Sequence, residues 1–87
     1  RKAAAEARTK GQESRKRAKD AEVELEKLSA RRNAIDQAMF DPGKADASLQ
    51  KLTVTELMKL RAEIVTRIDA AEAVWLNASE ALETMAG

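Results

Sequence analysis

Residues 54–85 read VTELMKLRAEIVTRIDAAEAVWLNASEALETM, and a seven-residue apolar repeat in this stretch decides the fold. The members of the repeat alternate three and four residues apart, so they line one side of an α-helix. They are Val54, Leu57, Ile64, Ile68, Ala71, Trp75, Ala78, Leu82 and Met85, with Arg61 as the interruption. Because such a stripe must be covered from water, the stretch predicts a long helix with a partner helix packed against it.

The partner helix is expected in the first half of the chain, where a similar repeat runs through residues 2–40. This repeat is apolar from Ala18 to Met39 and weaker before Ala18. Gly11 disfavours a helix by about 1 kcal/mol relative to Ala, so fraying of the first dozen or so residues is expected. The predicted seam anchors of the two helices are Leu25, Leu28, Ile35, Leu57, Ile64, Ile68, Trp75 and Leu82.

Local signals indicate where each helix ends or begins. Pro42 lacks a backbone N–H and pushes Asp41 out of the α region, while Gly43 favours a turn. Thr53 and Glu56 have the spacing of a capping box, in which each side chain accepts a hydrogen bond from the other residue's backbone N–H. We predict helix one at 2–40, a connection at 41–52 that includes a short helical turn, and helix two at 53–86.

These signals predict an all-α fold, an antiparallel two-helix coiled-coil hairpin that forms a single domain over residues 1–87. Two registers are open for the pairing. The first sets Ala21 against Trp75, which opposes a small and a large side chain. The second brings Glu24 beside Arg67, which suits their charges. Exposed charge pairs contribute only a few tenths of a kcal/mol, less than core packing does, so we favour the first register.

Composition narrows the classes of function. The chain has no Cys and no His, which removes thiolate and imidazole chemistry. Its carboxylates have the spacing of solvated helix faces, so we predict no catalytic, metal-binding or cofactor-binding residue. No apolar run approaches the roughly 20 residues of a membrane span, and no signal peptide opens the chain, so we expect no membrane contact and a cytoplasmic location. Because the chain begins at Arg1 rather than Met, we expect a fragment of a longer protein.

The net charge of +1 conceals an uneven distribution. Residues 1–19 contain eight basic and two acidic side chains, whereas residues 20–87 contain eight basic and thirteen acidic ones. Phosphate backbones bind basic arrays with little sequence preference and with strong salt dependence. The candidate nucleic-acid contacts are Arg8, Lys10, Arg15, Lys16, Arg17 and Lys19. The alternative is pairing inside the hairpin with the acids at the end of helix two, which are Glu72, Glu80 and Glu83.

Three further residues of the seams call for a structural interpretation. Arg32 and Arg61 interrupt the two repeats, and an Arg at such a position fixes the register or reaches an acid. Asp36, one turn from Arg32, is its predicted partner. Trp75 is predicted to be a core anchor packed on alanines. The stacking platforms of single-strand binders use several exposed rings, and this chain has one Trp and one Phe.

Two segments of the chain resemble a known family. Met39-Phe40-Asp41-Pro42 ends a charged helix, and the segment AEAVWLNASEALE at residues 71–83 places a single Trp in an acidic helix. Over roughly residues 18–86, the pattern resembles the C-terminal coiled-coil domain of bacterial ATP-binding cassette F (ABC-F) proteins. In that family the domain follows the second nucleotide-binding cassette and is joined to it by a charged linker.

The resemblance implies an accessory arm of a cytoplasmic ATPase that acts at the ribosome or on nucleic acid. The arm itself would be no enzyme and would hold no cofactor, since ATP and Mg²⁺ would be bound by the parent's cassettes. By matching position, contacts with ribosomal RNA or DNA would come from Arg15, Lys16, Arg17 and Lys19.

An alternative from another class is a structural or protein-interaction hairpin that forms a homodimer or docks on the parent's cassettes. It is favoured by apolar residues that lie beside the repeat of helix two and widen its apolar face. These residues are Met58, Leu60, Val65, Val74 and Leu76.

Overall fold

The computed structural model describes residues 2–86, with side chains up to Met85. Two long helices dominate, and a connection with two short helical segments joins them. The elements in chain order are α1 (Lys2–Phe40), a 3₁₀ turn (Pro42–Lys44), α2 (Ala47–Gln50) and α3 (Val54–Ala86). No strand occurs in the described residues, so the all-α prediction is confirmed. Both long helices begin and end within one residue of their predicted bounds.

The chain divides into two compact units, and each contains a part of α1 and a part of α3. The terminal unit comprises Arg1–Leu25 and Ala70–Gly87. The loop unit comprises Glu26–Asp69 and includes the connection. Each unit has its own buried seam, and the two seams differ in the size of their side chains.

Large aliphatic side chains form the buried seam of the loop unit. They belong to the predicted repeats: Leu28, Ile35, Leu57, Ile64 and Ile68, all buried. Ile35 is fully enclosed, and burial of an aliphatic side chain of this size contributes about 1.5–3 kcal/mol. Ala38 of α1 and Leu49 of α2 are also buried, so the connection adds to this core. Asp36 of α1 and Arg61 of α3 form a salt bridge beside this seam. The two long helices therefore lie side by side, and the chain folds back on itself as a helical hairpin.

The terminal unit buries small side chains instead. They are Ser14, Ala18 and Ala21 of α1, with Ala71 and Ala78 of α3. The indole N–H of Trp75 donates a hydrogen bond to Glu22. Eleven residues earlier in α1, a methyl group built on Gly11 would lie 3.8 Å from Met85 Sδ. Contacts therefore advance along α1 as they retreat along α3, which is antiparallel packing.

Three predicted members of the seam are exposed. Trp75 is 37% exposed, and Val54 and Met85 are exposed at the two ends of α3. Leu25 and Leu82 are half-buried. A two-helix seam has no third layer to enclose a large ring, and a helix end lacks the next turn of its partner. The prediction of Trp75 as a buried core anchor is therefore wrong, and this residue lies at the edge of the seam.

The turn after α1 follows from Pro42. Asp41 has φ −141° and ψ 82°, outside the α region, which confirms the effect predicted for a residue that precedes proline. Its N–H still donates to the carbonyl of Gln37, at 2.7 Å, and completes the last turn of α1. Gly43 lies in the 3₁₀ turn, and no glycine in the described residues has a positive φ. The turn therefore makes no use of the left-handed region that only glycine enters freely.

The start of α3 has the predicted capping box. The backbone N–H of Glu56 donates to Thr53 Oγ1 at 3.1 Å, and the backbone N–H of Thr53 donates to Glu56 Oε1 at 3.3 Å. Two N–H groups that have no partner inside the helix are thereby satisfied. Leu57 is buried one turn further on, so the cap fixes the point at which the apolar repeat of α3 enters the core.

Thr53→Ala is expected to lower the free energy of unfolding by about 1 kcal/mol, because it removes this N-cap. Urea unfolding followed by circular dichroism measures the change. Thr55→Ala, an exposed site in the first turn of α3, is the control and should change stability by only a few tenths of a kcal/mol. An equal loss in both variants would contradict the role of the cap.

Gly11→Ala is expected to raise the free energy of unfolding by up to about 1 kcal/mol, because Gly is a poor helix former and the added methyl has room. Its nearest neighbours would be Arg15 Nη2 at 3.7 Å and Met85 Sδ at 3.8 Å, both ordinary contacts. The reciprocal variant Ala30→Gly, at an exposed site of α1, should lower stability by a similar amount. A lower urea midpoint for Gly11→Ala would contradict the prediction, because it would mean that α3 lies too close to Gly11 for the added methyl to fit.

Candidate nucleic-acid interface

The six predicted contact residues all lie in the terminal unit and are all exposed. Each is on the stretch of α1 between residues 8 and 19. Lys16 forms a salt bridge with Asp20, one turn further along the same helix, at 3.2 Å. In the described residues, none of the six pairs with an acid of α3, although Glu72, Glu80 and Glu83 belong to the same unit. Direct ion pairing with α3 therefore does not account for the basic stretch.

Helical geometry arranges the six side chains in three directions around α1. At about 100° per residue, Arg8, Arg15 and Lys19 fall within about 40° of one another, beside the buried seam. Lys10 and Arg17 lie on the other side of the seam, and Lys16 points away from α3. We call the row of Arg8, Arg15 and Lys19 the basic flank. It contains no acid, and it extends roughly 16 Å along the helix at 1.5 Å per residue.

Trp75 lies at one end of the basic flank. The indole Nε1–H donates to Glu22 Oε1 at 3.0 Å. Glu22 follows Arg15 by seven residues, which places it on the same side of α1. The hydrogen bond holds one edge of the indole, and more than a third of the residue remains open to solvent. An exposed aromatic ring therefore stands in line with three cations.

A shallow groove of about 510 Å³ lies at the other end of the basic flank. Its lining residues come from both helices: Ala7, Arg8, Gly11, Arg15, Leu82 and Met85. Gly11 and Ala7 leave space on the α1 side, and Leu82 and Met85 give the groove an apolar wall. The two arginines belong both to this groove and to the basic flank. Sequence reasoning missed the groove, for which the one available signal is Gly11 at a seam position.

The salt bridge of the loop unit differs from the predicted pairing. Asp36 accepts a hydrogen bond from Arg61 Nε at 2.6 Å, so the prediction that it pairs with Arg32 is wrong. Arg32 forms no ion pair or side-chain hydrogen bond in the part of the chain that is described. Both members of the pair are 42% exposed at the side chain. The hydrogen bond and the charge of Asp36 raise the pKa of Arg61, which stays protonated. This pair joins α1 to α3.

Within residues 2–86, no group of three or more acidic side chains is placed to hold a metal ion. None of the described helices has an apolar stretch long enough to cross a bilayer.

Comparison with known proteins gives no match: no family model, no curated protein and no solved structure is similar to this chain. The resemblance to ABC-F proteins therefore depends on the residues quoted for it in the sequence.

Proposed function

We propose that this chain is a docking arm, the C-terminal accessory coiled coil of an ABC-F-type ATPase. It holds the parent enzyme on ribosomal RNA or DNA through the basic residues of α1, and the parent's cassettes bind ATP and Mg²⁺. The observation that carries the proposal is the basic stretch of α1, which is exposed and, among the residues that the structure describes, forms no ion pair with the acids of α3.

The arrangement suits a phosphate backbone rather than a folded partner with isolated acids. Three guanidinium groups and three ammonium groups lie within about three turns of one helix, and Lys16 alone of these six has an ion-pair partner in the described part of the chain. A protein that neutralises Z phosphates loses affinity with salt at a slope of about −0.9Z, so the three residues of the basic flank alone give a slope of roughly −3. Binding of this kind positions the arm without reading sequence.

The hairpin geometry supports the role of an arm. The terminal unit contains both the basic stretch and the end of α3, and its seam is made of small side chains in antiparallel contact. A coiled coil of this type carries side chains on a stiff support and needs no chemistry of its own. The quoted segments around Phe40 and Trp75 are what connects this arm to the ABC-F family.

A second candidate function, protein interaction, is favoured by exposed apolar residues in the loop unit. Phe40 is 91% exposed and Met58 is 60% exposed. Leu60 and Val65, predicted for this role, are only half-buried, and Leu76 is exposed in the terminal unit. A homodimer or the parent's cassettes would cover such residues.

The docking proposal predicts that the chain binds labelled RNA or DNA at low salt with a Kd of about 1–100 μM, weakening steeply as salt rises. Arg15→Glu/Arg17→Glu should reduce the affinity at least about tenfold, because two cations become two anions beside the phosphates. Lys44→Glu/Lys51→Glu makes the same change of charge in the connection and should retain most of the binding. Absence of binding at low salt, or an equal loss in both double variants, would overturn the proposal.

The interaction alternative predicts a solution mass above that of the monomer, measured by sedimentation equilibrium. Phe40→Ser/Met58→Ser should return the mass to that of the monomer, because it removes the exposed apolar contacts. Val23→Ser, at an exposed apolar site of α1 outside the widened face of α3, is the control and should leave the mass unchanged. A monomer at every concentration tested would contradict a homodimer.

A further inference from the structure

Trp75 lies at the edge of the seam, in a row of α3 whose neighbouring members are small side chains. Its neighbours in the buried row of α3 are Ala71 and Ala78, both buried. Trp75 is 37% exposed and is tethered at its Nε1–H edge by Glu22. A ring held at one edge and open to solvent loses little conformational freedom when a flat ligand stacks on it.

On the N-terminal side of Glu22, the same flank of α1 carries three cations. Counted back from Glu22, Lys19, Arg15 and Arg8 lie roughly 5, 10 and 21 Å away along the helix axis, all on one side of it. The groove beside Gly11, with its apolar wall of Leu82 and Met85, adjoins Arg8 and Arg15. An aromatic ring, a row of cations and an apolar recess therefore follow one another along one flank of the terminal unit.

This order of groups matches the chemistry of an unpaired nucleic-acid strand. A strand outside a duplex presents a base with a free π-face and a phosphate backbone beside it. Extended platforms stack several bases on several rings, whereas the single Trp of this chain can stack one base beside the basic flank. A duplex keeps its bases stacked and offers the ring nothing. At roughly 3.4 Å per phosphate of a stacked strand, the flank would follow about five phosphates.

We propose that the basic flank and Trp75 bind an unpaired segment of RNA or DNA, with one base stacked on the indole and the phosphates on Arg8, Arg15 and Lys19. The inference rests on the proposed docking function and adds the class of nucleic acid. The groove beside Gly11, at the other end of the basic flank, receives the apolar edge of a nucleotide further along the same strand. Glu22 sets the polarity of the site, because its carboxylate repels phosphate from the Trp75 end.

The test uses the full chain, whose single Trp reports on this site alone. Oligothymidine and oligouridine of about a dozen nucleotides, and a DNA duplex of the same length, are titrated against the intrinsic fluorescence. We expect both single strands to quench Trp75 and to bind more tightly than the duplex, which leaves the emission unchanged. The difference in affinity between oligothymidine and oligouridine shows whether the site prefers DNA or RNA.

Trp75→Leu removes the ring and keeps an apolar residue at the seam. It should weaken single-strand binding about fivefold or more, measured with labelled oligonucleotides, and leave duplex binding unchanged. Trp75→Phe keeps a stacking face without the N–H and should retain most of the affinity, so it tests the ring even if the Leu variant folds poorly. Val74→Ala is the control, because Val74 is exposed and lies about 100° away from Trp75 around α3. This variant should bind single strands as tightly as the unaltered chain does.

Glu22→Gln keeps an acceptor for the indole N–H and removes the negative charge. It should tighten single-strand binding a few-fold at low salt, with the effect fading as salt rises.

Two outcomes would separate this inference from the docking function. If the chain binds duplex and single strands equally, and Trp75→Leu and the fluorescence show no response, the stacking site is overturned while docking stands. If neither nucleic acid binds at low salt, both proposals fall.

Discussion

The structure depends on the burial of the apolar stripe of α3 against α1. Neither helix can hide its stripe by itself, so each unit is stable only as a pair of helical segments. In the loop unit the pair encloses large aliphatic side chains around Ile35. In the terminal unit it encloses alanines and a serine, which contribute less hydrophobic free energy than the aliphatic seam does. The chain thus combines one seam of large side chains with one of small side chains.

The seam of small side chains has a consequence for function. Because Ala18 and Ala21 are small, the buried seam of the terminal unit is narrow. Larger side chains beside it lie at the edge of the seam and stay in contact with solvent. Trp75 is too large for a two-helix seam and comes to its edge, where Glu22 holds it. The groove beside Gly11 has the same origin, since a position without a side chain faces Leu82 and Met85. The features that we assign to nucleic-acid binding are thus results of how this seam is packed.

In the terminal unit, basic side chains of α1 and acidic side chains of α3 are exposed on the surface of the same pair of helices. The acids of α3 in the terminal unit are exposed and make no ion pair with the basic residues of α1 in the described part of the chain. The one interhelical salt bridge of that part lies in the loop unit, between Arg61 and Asp36. An uneven sequence charge is therefore retained as an uneven surface charge, which is the condition for electrostatic docking.

The all-α class, the two long helices and their ends could be predicted from the residues alone, because these follow from local chemistry: the apolar repeat, the proline after Asp41 and the capping box of Thr53. The exposure of the basic residues could also be predicted, because charged side chains stay on the solvent-facing side of a helix whichever side the partner helix covers. The packing of α1 against α3 was needed to show that Asp36 pairs with Arg61 rather than Arg32, and that Trp75 is exposed. Those outcomes depend on the distance and register between two helices. Heptad spacing specifies that a partner exists and leaves its register and distance to the packing of side chains on both helices.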